Sequence, residues 1–359
     1  MTIGIVVGTR PEIVKMAPVV RACIERRAPY VLIHTGQHYS FELDGVFFEE
    51  LELPRPHINL EIGSGSSASQ LAAIMLGMER VMREHRPGVV LVEGDTNSVL
   101  GGALAANKLG ARVGHVEAGL RSYDRSMPEE INRIVTDHLA DHLFAPTEHA
   151  RAILRGEQIA DERIHVTGNT VVDELERQRE RAMDPARFER FAVEAGRFAL
   201  ATVHRVENVE HEERLRGIFA GLAGAGAALG MPVLAALHPR TAARLAALGL
   251  TGGGVRLLPP LGYLEFLGLH ARAALTLTDS GGLQEEACCL RVPCVTLRDN
   301  TERLESIEVG ANWLAGADPA RIVAAARAMA AVPRTWANPF GDGNSGARIV
   351  DLLLDGAER

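Results

Sequence analysis

The sequence predicts an α/β fold, two doubly wound Rossmann-like units in series, each a parallel sheet of five or six strands wrapped by helices. Three observations carry that expectation. Short β-branched runs alternate with longer helical stretches, the alternation restarts after residues 164–167, and 359 residues exceed what one typical core encloses. In the first half the strand-like runs are residues 3–7, 30–34, 88–92, 113–116, 142–145 and 164–167. Helical spacing of apolar residues fills 13–26, 68–85 and 98–109 between them. The second half repeats the pattern with strands at 198–203, 233–237, 255–258, 275–278 and 294–297, and helices over 212–229, 264–269 and 283–289. Residues 173–195 are charged and poor in strand formers, which predicts a linker helix at the boundary. Ligands bind outside the carboxyl ends of strands in open parallel sheets. A cleft faced by two such sheets is therefore the expected place for chemistry.

Composition narrows the class. Hydrophobic residues make up 47% and charged residues 23%, ordinary for a soluble globular protein. Acidic residues outnumber basic ones, 46 against 38, for a net charge of −8. That argues against a nucleic-acid partner. No apolar run approaches the roughly 18 residues of a membrane span. "MTIGIVVGTRPE" has no preceding basic region or cleavage site and reads as a first strand. Cys23, Cys288, Cys289 and Cys294 lack metal-ligand spacing and read as thiols in a reducing cytoplasm. The histidines and acids lack HExxH-type spacing, so no metal is expected.

The chemistry-bearing residues sit where strands run into helices. "LTLTDSGGLQEEA" (275–287) puts Ser280, Gly281 and Gly282 at a helix start, whose unpaired amides attract an anion. An ordinary Ser N-cap is the alternative. "GTRPEIVKMAP" ends the first strand and sets Arg10 and Lys15 near a helix start, where the dipole disfavours cations unless an anion compensates. Asp95 follows the strand of "VVLVEGDTNS", either as an acid for chemistry or as a helix cap. Glu117 in "VGHVEAGLRS" has no capping role. Glu129 and Glu130 open the helix of "MPEEINR" and suit its dipole. Asp95, Glu117 and Glu129 would converge on one rim, where close carboxylates shift one another's pKa values and divide acid and base roles. In the second half His204 with Arg205 ends one strand and His238 ends another.

Taken in order, "GTRPEIVKMAP", "TGQHY", "GDTNS", "HVEAGLRS", "MPEEINR", "GNTVVD", "HRVENV", "TDSGGLQEEA", "RDNTER" and "NPFGDG" resemble the non-hydrolysing UDP-N-acetylglucosamine 2-epimerases over nearly the whole chain. The resemblance implies a GT-B-like fold. Residues 1–170 plus 340–359 would form the first domain, with helix 348–354 crossing back to it, and 171–339 the UDP-binding domain. It implies that Ser280, Gly281 and Gly282 hold a UDP diphosphate and that Glu286 binds the ribose. Leu261 and Phe266 would read the uracil. Arg10, His204 and Arg303 would neutralise the diphosphate, with Lys15 in support and His238 at the same rim. Asp95, Glu117 and Glu129 would be the catalytic acids and bases, joined by His204. UDP would leave as the C2 proton is removed, giving a 2-acetamidoglucal, and re-add with protonation on the opposite face. That chemistry needs no cofactor and no metal. The family is usually homodimeric.

Two departures matter. In many bacterial members an arginine and a glutamine help bind a second, activating substrate molecule. Here Gln37 and His38 are followed by Tyr39, Gly45 replaces the glutamine, and helix 71–79 lacks the arginine, so weak or absent activation is expected. Other segments resemble the branch holding archaeal epimerases and those acting on UDP-2,3-diacetamido-glucuronate. That substrate, a hydrolysing outcome and glycosyl transfer are the alternatives.

Overall fold

In the first sheet the chain lays its strands outward from the middle, first to one side and then to the other. The computed structural model describes residues 1–37 and 41–356, and divides into two units, Met1–Glu176 with Phe340–Arg359, and Arg177–Pro339. His38 and Tyr39 lie outside the described residues.

The first unit begins β1 (Ile3–Val7), α1 (Arg10–Glu25), β2 (Tyr30–His34), α2 (Phe41–Glu50) and β3 (Ile58–Asn59). It continues α3 (Ser67–His85), β4 (Val89–Glu93), α4 (Asn97–Lys108), β5 (Arg112–Val116) and α5 (Pro128–Leu139). It closes with β6 (His142–Ala145), α6 (Glu148–Gly156), β7 (Ile164–Val166) and the start of α7 (Thr170–Ala182). The seven strands lie in the order β3-β2-β1-β4-β5-β6-β7, all parallel. Order reverses between β1 and β4, which makes the loops after those two strands the natural ligand crevice. Val6, Ile33, Val90, Val92 and Val113 pack against Ile74 and Met78 of α3. Each such side chain, once buried, contributes about 1.5–3 kcal/mol.

The second unit repeats the plan with β8 (Ala199–Thr202), α8 (Val206–Val209), α9 (Glu212–Leu229), β9 (Val233–Ala236), α10 (Pro239–Ala247) and β10 (Arg256–Leu258). Next come α11 (Tyr263–Arg272), β11 (Leu275–Thr278), α12 (Gly281–Cys289) and β12 (Cys294–Thr296). Last are α13 (Leu304–Glu308), β13 (Asn312–Leu314) and α14 (Pro319–Ala330). Strand order is β10-β9-β8-β11-β12-β13, again parallel, with the reversal between β8 and β11. Leu215, Ile218 and Leu222 of α9 and Ile322 and Met329 of α14 cover one face. The chain then returns to the first unit as α15 (Ser345–Asp355), which packs on α1.

Two expectations need correction. The boundary helix stops at Ala182 and does not reach residue 195. Asp184 caps a turn starting at Pro185, which cannot continue a helix, and Phe188 and Phe191 are drawn into the second core. The edge strands β3 and β13 were missed, because two or three residues are too few to show a period.

Candidate active site

At the first switch point, β1 hands over to α1 through Gly8. A Cβ there would stand 2.1 Å from Ser98 Oγ and 2.3 Å from Thr35 Oγ1, so only glycine lets these loops close. Thr9 is the N-cap and Glu12 completes a capping box. Its carboxylate accepts the Gly8 N–H at 2.5 Å and the Thr96 hydroxyl at 2.6 Å, tying the loop after β1 to the loop after β4. Burial pushes Glu12 up to about 7, against the pull of those donors. Arg10 lays its guanidinium over Phe47, 4.7 Å from the ring centroid. Lys15 Nζ lies 2.7 Å from Glu117 Oε1 and 3.2 Å from Glu93 Oε1. The anions that compensate this lysine are thus the chain's own carboxylates.

Asp95 follows β4, yet it is not the cap of α4. Thr96 takes that role, its hydroxyl accepting the Ser98 N–H at 3.1 Å. Asp95 instead pairs with the buried Arg133, and its carbonyl accepts from Asn132 Nδ2 at 2.8 Å. Glu117, at the end of neighbouring β5, is 6% exposed and has φ +68°. A left-handed non-glycine residue costs energy that its surroundings must overcome, and such residues cluster at functional sites. Asn169 Nδ2 donates to Glu117 Oε1 at 3.2 Å. Beneath it, the His115 imidazole spans Gly94 O at 2.8 Å and Asp137 Oδ1 at 2.6 Å. Burial would raise the Asp137 carboxyl, but His115 and Arg121 beside it hold it below the usual range.

Glu129 stands half-buried in the first turn of α5. Its neighbour Glu130 is buried and accepts the Ser122 and Tyr123 N–H groups at 2.9 Å each, besides pairing with Arg133 at 2.8 Å. Glu130 therefore fixes the preceding loop and does more than suit the dipole.

In the second unit, Asp279 organises the switch point. This fully buried carboxylate accepts the His204 N–H at 3.1 Å, the Arg205 N–H at 3.0 Å and Asn208 Nδ2 at 3.1 Å. His204 Nδ1 is 3.0 Å from it, which leaves Nε2 without a protein partner among the described residues. Burial would raise Asp279, but His204 and these donors hold its pKa below the usual carboxylate range. Ser280 caps α12, its hydroxyl 3.5 Å from the Leu283 N–H. A Cβ on Gly281 would stand 2.5 Å from Glu302 Oε1 and 3.8 Å from the Arg303 guanidinium carbon, whereas beside Gly282 there is open space. Bare backbone, a hydroxyl and an arginine thus meet at one helix tip. Arg303 is buried and paired with Glu285 at 2.6 Å.

His238 is the N-cap of α10 and its Nδ1 accepts the Arg240 N–H at 3.2 Å, which fixes the ring proton on Nε2. Leu261 lies just before α11. Phe266 meets His270 edge-on at 5.8 Å, and buried His270 Nδ1 is 3.6 Å from Glu286 Oε2. The uracil and ribose candidates are therefore linked side chain to side chain. Sequence reasoning missed Glu12, Glu93, Asn169, Asp137 and Asp279. Each acts through another residue, and only an acid directly before the Ser-Gly-Gly run offered a visible signal.

Comparison with known proteins fits this geometry. The sequence profile of the UDP-N-acetylglucosamine 2-epimerase family matches residues 21–354. The UDP-N-acetylglucosamine 2-epimerase of Methanocaldococcus jannaschii is 47% identical over 364 residues, spanning 99% of this chain and 100% of its own. The UDP-2,3-diacetamido-2,3-dideoxy-D-glucuronate 2-epimerase of Pseudomonas aeruginosa is 39% identical, spanning 98% of this chain and 99% of its own. A crystal structure of the M. jannaschii enzyme in complex with UDP-GlcNAc and UDP aligns with a TM-score of 0.94, covering 99% of this chain and 100% of that one. The fold, the ordered motifs and these alignments agree: the chain belongs to the UDP-N-acetylglucosamine 2-epimerase family.

Proposed function

We propose that this chain interconverts UDP-N-acetylglucosamine and UDP-N-acetylmannosamine by eliminating UDP and adding it back. The observation that carries the reading is the pairing of Asp95 and Glu117 on adjacent strand ends, Glu117 strained and held by Lys15. The C2 proton of an N-acetylhexosamine is not next to a carbonyl and is barely acidic. Removing it requires that UDP leave from C1 at the same time. In the second unit, the first amides of α12, Ser280, His204 and Arg303 stabilise the departing diphosphate. One such preorganised donor is worth roughly 3–4 kcal/mol. Glu286 takes the ribose, and Leu261 and Phe266 border the uracil, while Arg10 and His238 add donors. In the first unit, Asp95 and Glu117 serve the two faces of C2 and Glu129 assists, positioned acid–base groups contributing about 10²–10⁴-fold.

The relative with 47% identity carries the UDP-N-acetylglucosamine name, against 39% for the uronate epimerase, and this supports UDP-N-acetylglucosamine as the substrate. The enzyme works as a homodimer in the cytoplasm; the free thiols of Cys23, Cys288, Cys289 and Cys294 support a reducing compartment. Activation by a second substrate molecule is weak. Gln37 supports this, since its Oε1 accepts from Ser98 N at 3.0 Å and Ser98 Oγ at 2.6 Å.

The test is proton NMR of the chain with UDP-N-acetylglucosamine in D₂O. UDP-N-acetylmannosamine carrying deuterium at C2 is expected. Free N-acetylmannosamine with UDP means hydrolysis, and turnover of the diacetamido-glucuronate alone moves the substrate; either result overturns the proposal.

A further inference from the structure

Behind Glu117 lies an acid that the acid–base scheme leaves unused. Glu93, the last residue of β4, is 2% exposed, and its Oε1 stands 3.2 Å from the same Lys15 ammonium that meets Glu117 at 2.7 Å. Both acids therefore crowd one buried ammonium, and Glu93 Oε1 has no hydrogen-bond partner of its own among the described residues. Two carboxyl oxygens cannot share a hydrogen bond unless one carries a proton. With both ionised, one ammonium would face two buried carboxylates, and a buried charge without a partner is costly. Glu12, on α1, adds a third acid to this neighbourhood. The charged groups facing Glu93 are therefore Lys15 and Glu12 from α1 and Glu117 from the end of β5.

We infer that Glu93 is a positioning residue which keeps its proton, donates a hydrogen bond through it to the Glu117 carboxylate, and so holds Glu117 ionised against Lys15 and ready for the sugar. The inference rests on the acid–base role proposed for Glu117. Glu117 projects from a left-handed backbone position and needs fixing from several sides; Lys15, Asn169 and protonated Glu93 provide three. Burial, more than any neighbouring charge, raises the Glu93 pKa well above the ordinary value; Lys15 pulls it down, and Glu117 and Glu12 push it further up. When Glu93 ionises at alkaline pH, it turns from a donor into a second negative charge beside Glu117. The rate then falls.

Glu93→Gln keeps the shape and the donor but cannot ionise, whereas Glu93→Leu keeps only the bulk. The Gln variant is expected to retain most of kcat at neutral pH and to lose the alkaline fall of the wild-type profile. The Leu variant is expected to lose about 10-fold or more in kcat with little change in KM, as a buried hydrogen bond to a charged group disappears. Infrared spectroscopy of the unliganded protein gives a readout independent of turnover. A protonated-carboxyl C=O band shifted in D₂O, read at about pH 8 where Glu12, at about 7, is mostly ionised, and lost in Glu93→Gln, is expected. Absence of that band in the wild type, or a Gln profile that keeps the wild-type alkaline limb, overturns the inference. Should the chain fail to turn over UDP-N-acetylglucosamine, the functional proposal falls while the infrared band still decides the state of Glu93.

Discussion

The two sheets share a plan, and their switch points carry opposite chemistry. Around the first, Glu12, Glu93, Asp95, Glu117 and Glu130 are set against Lys15 and Arg133, an excess of acid. Around the second, Asp279, Glu285 and Glu302 are matched one for one by Arg205, Arg298 and Arg303, and His204 and the bare tip of α12 add N–H donors. Topology decides where in each sheet a ligand can sit; the residues one or two places past the strand decide which chemistry is available there. The first rim suits proton transfer and the second suits anion capture.

Breaking the acidic rim has the largest expected effect. Glu117→Gln is expected to lower kcat by about 10²–10⁴-fold while UDP affinity, measured by calorimetry, stays within a few-fold of wild type. A matching loss of UDP affinity would erase the division of labour between the rims. Next in size is Asp279→Asn, which puts an amide N–H among groups that all donate to Asp279. Release of His204 should cost about 10–100-fold in kcat/KM, the worth of hydrogen bonds to a charged group. Gly281→Val pushes a side chain against Glu302 and narrows the helix tip. UDP affinity is expected to fall about 10-fold, with C2 exchange of bound substrate much less affected.

Two smaller effects concern stability. Gly8→Ala places a methyl against Ser98 and Thr35, and overpacking of this kind costs about 1–3 kcal/mol, read as a lower urea midpoint. The folded pKa of Asp279 lies below its unfolded value of about 3.9, so its stabilisation is present above that pH and is lost as pH falls through the folded value. The gap in urea midpoint between wild type and Asp279→Asn should accordingly be wide at pH 6 and narrow as pH falls through the folded value.

Most of the architecture was legible because buried parallel strands leave unbroken apolar runs, and because strand ends announce themselves with Gly, Ser and charged residues. "LTLT" could hardly be anything but β11, and the Ser-Gly-Gly that follows marked the head of α12. What stayed hidden depends on contacts across the fold. Nothing in "VLVEGD" says that Glu93 meets Lys15 from a helix some eighty residues earlier. Nothing local distinguishes Glu130, which clamps a loop, from Glu129 beside it. The boundary helix was overextended because charge along 173–195 outweighed Phe188 and Phe191, whose burial becomes evident only once the second core exists.

The packing of α15 on α1 bears on how the protein is made. Gly346 fits so closely that a methyl there would stand 2.7 Å from Pro18, and Asp351 pairs with Arg26. The ribosome delivers α1 about 320 residues before α15. At roughly 5–20 residues per second, the opening half waits on the order of ten seconds or more for its final wall. Through that interval the seam on α1 lies bare, so a nascent chain stalled before residue 345 should attract holding chaperones there and shed them once α15 has emerged.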